Sequence, residues 1–391
     1  MREWKKAALG ELIETNVLSI SPKYPFAEIL YLDTGSITRG KAEQLQRMSF
    51  SEAPSRAKRL VQDGDIVYSS VRPIQRHYGI IKNPPENLVV STGFVVISCR
   101  RNKLDPNFAY YYLTQDSVVE ELDIIAEAST STYPSLKPSD IENLSVCVPL
   151  SLVEQRAIAD ILSSLDDKID LLHRQNKTLE SLAETLFRQW FIEEAQPDWK
   201  EYTLSDFADH IKEGVIPANS KTTTFHHYSL PAFDAGKTPT IEFGGEILSN
   251  KYKVSAETIL ISKLNPRFPR VWPIIKLPSD NSICSTEFQV IKPKGKLFGY
   301  IYYLLCSKDA TDYLAMSASG TSGSHQRVRP EDILNITASL PSIESAEAFS
   351  KLIITHINKV HANQHQIQTL EKLRDTLLPK LMSREAAIRL N

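Results

Sequence analysis

Four cysteines in 391 residues, none in a C-x-x-C arrangement, exclude a disulfide scaffold and a cysteine-rich zinc module. Cys99, Cys147, Cys284 and Cys306 sit in apolar settings such as VVISC and LSVCV, so they read as reduced core residues of a cytoplasmic protein. No stretch approaches 18 apolar residues, which argues against a membrane-spanning helix. The opening MREWKKAAL lacks the apolar run of a secretory signal. An excess of one charge sign is missing too. Lys and Arg number 45 against 47 Asp and Glu, so any surface for a polyanion has to be local.

Catalytic motifs are equally scarce. There is no GxxxxGK[ST] phosphate loop and no Gly-rich cofactor loop after a strand. Asn83-Pro84-Pro85-Glu86 has the NPP of an adenine methyltransferase loop but lacks the aromatic that would stack on an extruded base. It reads as a turn between strands. His226-His227 has no Cys or carboxylate at metal-ligand spacing and reads as an exposed loop. No acidic pair followed by ExK suggests a nuclease centre.

What the chain does contain is a duplication. Trp4-Lys5 returns as Trp199-Lys200, GDIVYSSVRP at 64–73 as ETILISKLNP at 257–266, and STGFVVI at 91–97 as STEFQVI at 285–291. Tyr111-Tyr112-Leu113 returns as Tyr302-Tyr303-Leu304, LKPSDI at 136–141 as VRPEDI at 328–333, and Thr178-Leu179-Glu180 as Thr369-Leu370-Glu371. The order is kept throughout, with a shift that stays between 191 and 195 residues. Such a pattern means two copies of one unit.

Each unit is a head of about 145 residues followed by a long helix. In the heads, IVYSSV, FVVISC, TILISKL and FQVIKP are β-rich runs, whereas FAYYYLTQDSVVEELDIIAE and FGYIYYLLCSKDATDYLAM carry helical spacing. The expectation is an α+β fold built on a twisted, mostly antiparallel sheet. The boundaries fall at 1–150 for the first head, 151–192 for the first helix, 193–341 for the second head, and 342–391 for the second helix and tail.

In the first helix, Ile158, Leu162, Leu165, Ile169, Leu172, Leu179, Ala183, Leu186 and Trp190 lie on a four-three lattice, the seam of a coiled coil. Phe349, Ile353, Val360, Ile367, Leu370 and Leu377 continue it in the second. Ser151 with Glu154 forms a capping box at the first helix start; Pro341-Ser342 is its counterpart. Pro197 stops the first helix, and Pro379 stops or kinks the second. The short link from Glu193 to Asp198 makes an antiparallel pair the simplest packing. A pseudo-two-fold axis then pairs Ile169 with Leu370, Leu172 with Ile367, Leu179 with Val360 and Asn176 with Asn363. A longer buried bundle would also satisfy the lattice. About 40 residues at 1.5 Å each give a rod of roughly 60 Å, against about 34 Å for a turn of duplex DNA.

EQRAIADILSSLDDKIDLLHRQNKTLESLAETLFRQWF at 154–191 and TLEKLRDTLLPKLMS at 369–383, with GDIVYSSVRP, STEFQVIKP and GTSGSHQRVRPEDI, resemble the specificity subunit of Type I restriction-modification systems. The resemblance covers the whole chain; Arg384 stands where many relatives have glycine. It implies two target-recognition domains alternating with two antiparallel helical regions. It further implies that each domain reads half of a split target in double-stranded DNA, while the helices set the spacer and dock two methyltransferase (M) subunits. Those subunits would use S-adenosylmethionine to methylate adenine N6. Motor-nuclease (R) subunits would add ATP- and Mg-dependent restriction. The specificity subunit itself would carry no cofactor, no metal and no catalysis.

Under that reading, basic and amide residues in the head loops are the candidate DNA contacts, because Arg and Lys neutralise phosphates and Arg, Asn and Gln form paired bonds to base edges. They are Arg39, Lys41, Arg56, Lys58, Arg59, Arg72, Arg76 and Lys137 in the first head. In the second they are Lys221, Lys263, Asn265, Arg267, Ser322, His325, Gln326 and Arg327. Arg72 and Asn265 rank highest, since each precedes a proline at the same repeat position. The heads differ at most of these positions and so should read different sequences. A coiled-coil scaffold whose heads bind protein remains the alternative, with a stand-alone nuclease or methyltransferase third.

Overall fold

The computed structural model describes residues 3–21, 23–42, 45–129, 133–319 and 326–385. Ser322 and His325 lie outside them. The chain divides into two compact units, Met1–Leu171 with Ile367–Asn391, and Leu172–Gln366. Each unit holds one head and part of both long helices.

The two heads share one topology. In the first, strands Ile13–Thr15, Phe94–Cys99, Ile66–Ser69 and Tyr78–Ile80 lie side by side in that order, all antiparallel. In the second, Ala208–Ile211, Phe288–Pro293, Thr258–Ser262 and Val271–Ile274 repeat the order. A separate sheet of the first head runs Gln46–Ser49, Glu28–Leu32, Leu88–Ser91, Ala57–Leu60, with one parallel pair between Glu28–Leu32 and Leu88–Ser91. Its counterpart runs Thr240–Phe243, Thr224–Tyr228, Ser282–Ser285, Lys251–Lys253, again with one parallel pair, and adds Gly214–Val215 at the edge. A two-stranded ribbon closes each head, Trp4–Ala8 with Ser145–Pro149 and Lys200–Thr203 with Thr337–Leu340. Each head therefore has two main sheets where the sequence suggested one. Every residue of Ile66–Ser69 and of Thr258–Ser262 is buried, because layers cover both faces of those strands.

Each helical stretch of the heads is a pair of helices. Pro106–Leu113 is followed by Asp116–Glu127, and Phe298–Cys306 by Lys308–Ser317. Caps set the starts: Asp105 Oδ1 accepts from the Asn107 and Phe108 N–H groups, and Ser307 Oγ from that of Ala310.

The long helices span Leu152–Arg188 and Ile343–Met382. Ser151 Oγ accepts from the Glu154 N–H at 3.4 Å, and Ser342 Oγ from that of Ser345 at 3.3 Å. Glu154 Oε1 accepts from the Trp4 indole at 3.4 Å, tying the helix start to the strand ribbon. The first helix unwinds through a π turn at Gln189–Glu193, ahead of Pro197. Pro379 is accommodated within the second helix, which continues to Met382.

Within the second unit, Asn363 bonds Asn176 and Phe349 packs on Trp190, so one helix descends as the other ascends. Within the first, Arg374 bonds Asp166. All three contacts fit the antiparallel register of the seam. The helices also complete the head cores. Ile158, Leu162, Leu381 and Met382 join that of the first head. Phe187, Phe191, Phe349 and Ile353 join that of the second, where Phe191 meets Tyr300 edge-on at 4.9 Å. Burial of such aromatics contributes on the order of 2 kcal/mol each.

Three residues depart from expectation. Cys147 is exposed, because it occupies an outward position on the ribbon strand Ser145–Pro149. His226 and His227 stand on the strand Thr224–Tyr228 and not in an exposed loop; their Nδ1 atoms pair with Ser279 Oγ at 2.9 Å and Glu242 Oε1 at 3.1 Å. Asn83–Glu86 is the turn between Tyr78–Ile80 and Leu88–Ser91, as its sequence suggests.

Candidate nucleic-acid interface

The highest-ranked candidates, Arg72 and Asn265, occupy one backbone frame that occurs in both heads. In the first head the Ser70 N–H donates to Gly93 C=O at 2.8 Å, that of Leu136 to Ser70 C=O at 2.7 Å, and that of Arg72 to Pro134 C=O at 3.2 Å. In the second, Lys263 donates to Glu287 C=O at 2.9 Å, Val328 to Lys263 C=O at 3.0 Å, and Asn265 to Gln326 C=O at 2.9 Å. A serine hydroxyl closes each turn, Ser69 onto Val71 C=O and Ser262 onto Leu264 C=O. Bridges Val71 with Ser135 and Leu264 with Arg327 complete the match.

The two frames differ in their side chains. The first presents Ser70, Arg72, Gly93, Pro134 and Ser135; the second presents Lys263, Asn265, Glu287, Gln326 and Arg327. The backbone also holds Arg72 and Asn265 in the left-handed region, at φ 47° and 52°. For a residue before proline that conformation is strained, costing on the order of 1–3 kcal/mol. Both carbonyls then accept from three residues on, Gln75 and Phe268, which fixes the turn. Proline at the next position leaves no backbone N–H to satisfy there.

Other candidates gather around these frames. The Thr92 N–H donates to Arg56 C=O, bringing Arg56 beside Gly93, and the Arg39 N–H donates to Arg76 C=O. The Arg72 guanidinium lies 6.0 Å from the ring centre of Tyr133. The Lys137 N–H donates to Asp140, as that of Arg329 does to Asp332, so both basic residues sit at equivalent short-helix starts. Arg267 is exposed in the turn after Pro266. Next to it Phe268, which its polar loop context did not single out, is 67% exposed.

Several of the cations already have carboxylate partners. Lys41 pairs with Asp170 at 3.8 Å, Arg56 with Asp33 at 3.5 Å and Arg76 with Asp116 at 2.7 Å. Arg59 is half-buried on Ala57–Leu60 with its Nε unbonded, and burial lowers its pKa. Lys58 is exposed on that strand, and Lys221 is exposed at the end of the Pro217–Ser220 turn. These three sit on elements outside the shared frame. Among the described residues, no group of three His, Cys, Asp or Glu side chains is placed to hold a metal ion. No described helix is long and apolar enough to cross a membrane.

Comparison with known proteins follows this doubled geometry. A family profile described as the Type I restriction modification DNA specificity domain matches twice, over residues 1–181 and 196–372. The Type I restriction enzyme HindI specificity subunit of Haemophilus influenzae is 32% identical over 209 residues, 53% of this chain and 44% of that protein. The chain thus spans less than half the length of that relative. The MjaIX specificity subunit of Methanocaldococcus jannaschii is 26% identical over 362 residues, 84% of this chain and 79% of that one. Among solved structures, a Type I restriction-modification S subunit from M. genitalium has the same fold, at a TM-score of 0.63 and 17% identity, over 99% of this chain and 97% of that one.

Proposed function

This chain belongs to the Type I restriction-modification DNA specificity family, and we propose that it selects the DNA sequence on which such a complex acts. Each head reads one half of a bipartite duplex target. The long helices set the unread spacer and dock two methyltransferase subunits. The observation that carries this reading is the repeated frame. One hydrogen-bonded backbone displays Ser70, Arg72, Gly93 and Ser135 in the first head but Lys263, Asn265, Glu287 and Arg327 in the second. A constant backbone with exchanged polar side chains suits two readers of different base sequences, since base edges differ in their pattern of donors, acceptors and methyl groups.

The chain's own part is recognition. Phosphate contacts from loop cations place each head, and the frame residues read bases. Methyl transfer from S-adenosylmethionine to adenine N6 belongs to the methyltransferase subunits, and ATP- and Mg-dependent restriction to motor-nuclease subunits. The 37-residue first helix is about 56 Å long, more than one turn of duplex DNA.

The test is co-expression with a methyltransferase subunit, followed by sequencing of N6-methyladenine in the host genome. A motif of two short specified halves around an unread gap is the expected result. A continuous motif would remove the two-reader mechanism. A stable complex that leaves the genome unmethylated would favour a protein-binding scaffold.

A further inference from the structure

Arg327 is held at both ends. Its backbone pairs in both directions with Ser319, N–H to C=O at 3.1 and 3.0 Å. Its guanidinium grips Glu287 with Nε at 3.2 Å from Oε2 and Nη2 at 3.3 Å from Oε1. The pair is at the surface, with side chains 45% and 27% exposed. Neither partner has a counterpart in the first head, where the same frame positions are Ser135 and Gly93.

A fork-to-carboxylate contact fixes the plane of a guanidinium. A guanidinium has five N–H donors in a fixed fork, and this carboxylate takes two of them, which orients the group. The same contact cancels its charge. A neutralised arginine gains little from a phosphate, and Glu287 would repel one. A neutral acceptor pair on a base edge pays no such penalty and rewards a fixed plane. In the major groove that pair is guanine O6 with N7, the commonest partner of a bidentate arginine.

Resting on the DNA-reading function above, we propose that Arg327 reads a guanine in the half-site of the second head, and that Glu287 is its positioning residue. The first head has no equivalent reader at this place. Loss of Glu287 therefore relaxes one base pair while leaving the rest of the target intact.

The experiment is selection from randomised duplex DNA by the full chain in complex with its methyltransferase subunits, comparing wild type with R327A, E287A and E287Q. Wild type is expected to recover a split motif. R327A and E287A should both lose the preference at the same G·C pair, where a roughly ten- to hundredfold discrimination is at stake. E287Q should lose less, because a Gln oxygen still accepts one bond. The half-site that does not change serves as the folding control. Replacing that guanine by 7-deazaguanine, which lacks N7 but keeps O6, should weaken wild type, though less than R327A does.

A motif unchanged in E287A would overturn the proposal. So would a loss spread over both half-sites, or full wild-type binding to the 7-deazaguanine duplex. A wild-type complex that enriches no motif would overturn the DNA-reading function itself, and is told apart from those outcomes before any variant is examined.

Discussion

Asn363 donates from Nδ2 to Oδ1 of Asn176 across 2.8 Å, midway along a largely apolar helix seam. The two side chains are 1% and 8% exposed. Asn363 Oδ1 has no hydrogen-bond partner, so the contact is bought with one orphaned acceptor. A shift of one helix past the other would place both amides against hydrocarbon. The pair therefore favours a single register at the expense of stability. Asn363→Leu removes the donor to Asn176 Oδ1 and should cost about 1–3 kcal/mol in urea denaturation. The double variant N176L/N363L removes every polar atom of the contact and should recover most of that loss. A double variant as unstable as the single one would mean that packing, and not the amide pair, is limiting there.

Asp166 accepts from the Tyr111 hydroxyl at 2.7 Å on Oδ2 and from Arg374 Nη1 at 2.8 Å on Oδ1. Burial, then the Asp166 charge, pushes the Tyr111 phenol far up, so it stays a donor across the usable pH range. Asp166→Ala leaves that hydroxyl and a half-buried guanidinium without this acceptor. The expected loss is about 2 kcal/mol, below that of a fully buried pair because water reaches the site. Asp166→Asn keeps an acceptor for Tyr111 and should lose less. Thermal melts of the two variants check the order; equal losses would show that the tyrosine bond adds nothing.

The same comparison shows what a sequence can carry. The duplication was legible because frame residues recur in order, and the helix register because an apolar lattice has one lowest-energy pairing. Both are properties of local pattern. The partners of the charged loop residues are not. Glu287 reaches Arg327 from 40 positions away, and Asp170, Asp33 and Asp116 meet Lys41, Arg56 and Arg76 only once the chain has folded. Phe191, in the π turn after the first long helix, is buried because the second head packs its own Tyr300 against it, a contact that no local pattern announces. Two sheets per head were missed because short strands bounded by turns do not announce which neighbour they pair with.

Arg72 and Asn265 put a conformational cost where contact with DNA is proposed. Glycine meets no Cβ penalty at positive φ, so Arg72→Gly should leave stability unchanged or raise it by up to about 1 kcal/mol. Asn265→Gly should change it less, since Asn tolerates this region better than Arg. A β-branched residue at either place should cost about 2 kcal/mol. DNA affinity should move against stability, falling in Arg72→Gly. The slope of log affinity against log salt should fall too if Arg72 meets a phosphate, and stay unchanged if it meets a base. Paired melts and binding titrations at several salt concentrations check this. A glycine variant that loses stability would show that the turn is not strained.

His227 contributes to the pH dependence of the second head. Burial lowers its pKa more than the contact with Glu242 raises it, and its Nε2 is buried without a partner. His210 is lowered for the same first cause. The unfolded chain therefore takes up protons that the folded one resists, starting near the ordinary histidine value of about 6.5. Stability from this source is complete above that pH. It is lost as the pH falls below it and through the lower, folded-state pKa values. Melting temperature should accordingly be level from about pH 7 to 8 and decline on acidification to pH 5.5. His227→Asn, which can still bond Glu242 but cannot take up a proton, should make that decline shallower. A steeper decline in the variant would show that the Glu242 contact, and not desolvation, governs the site.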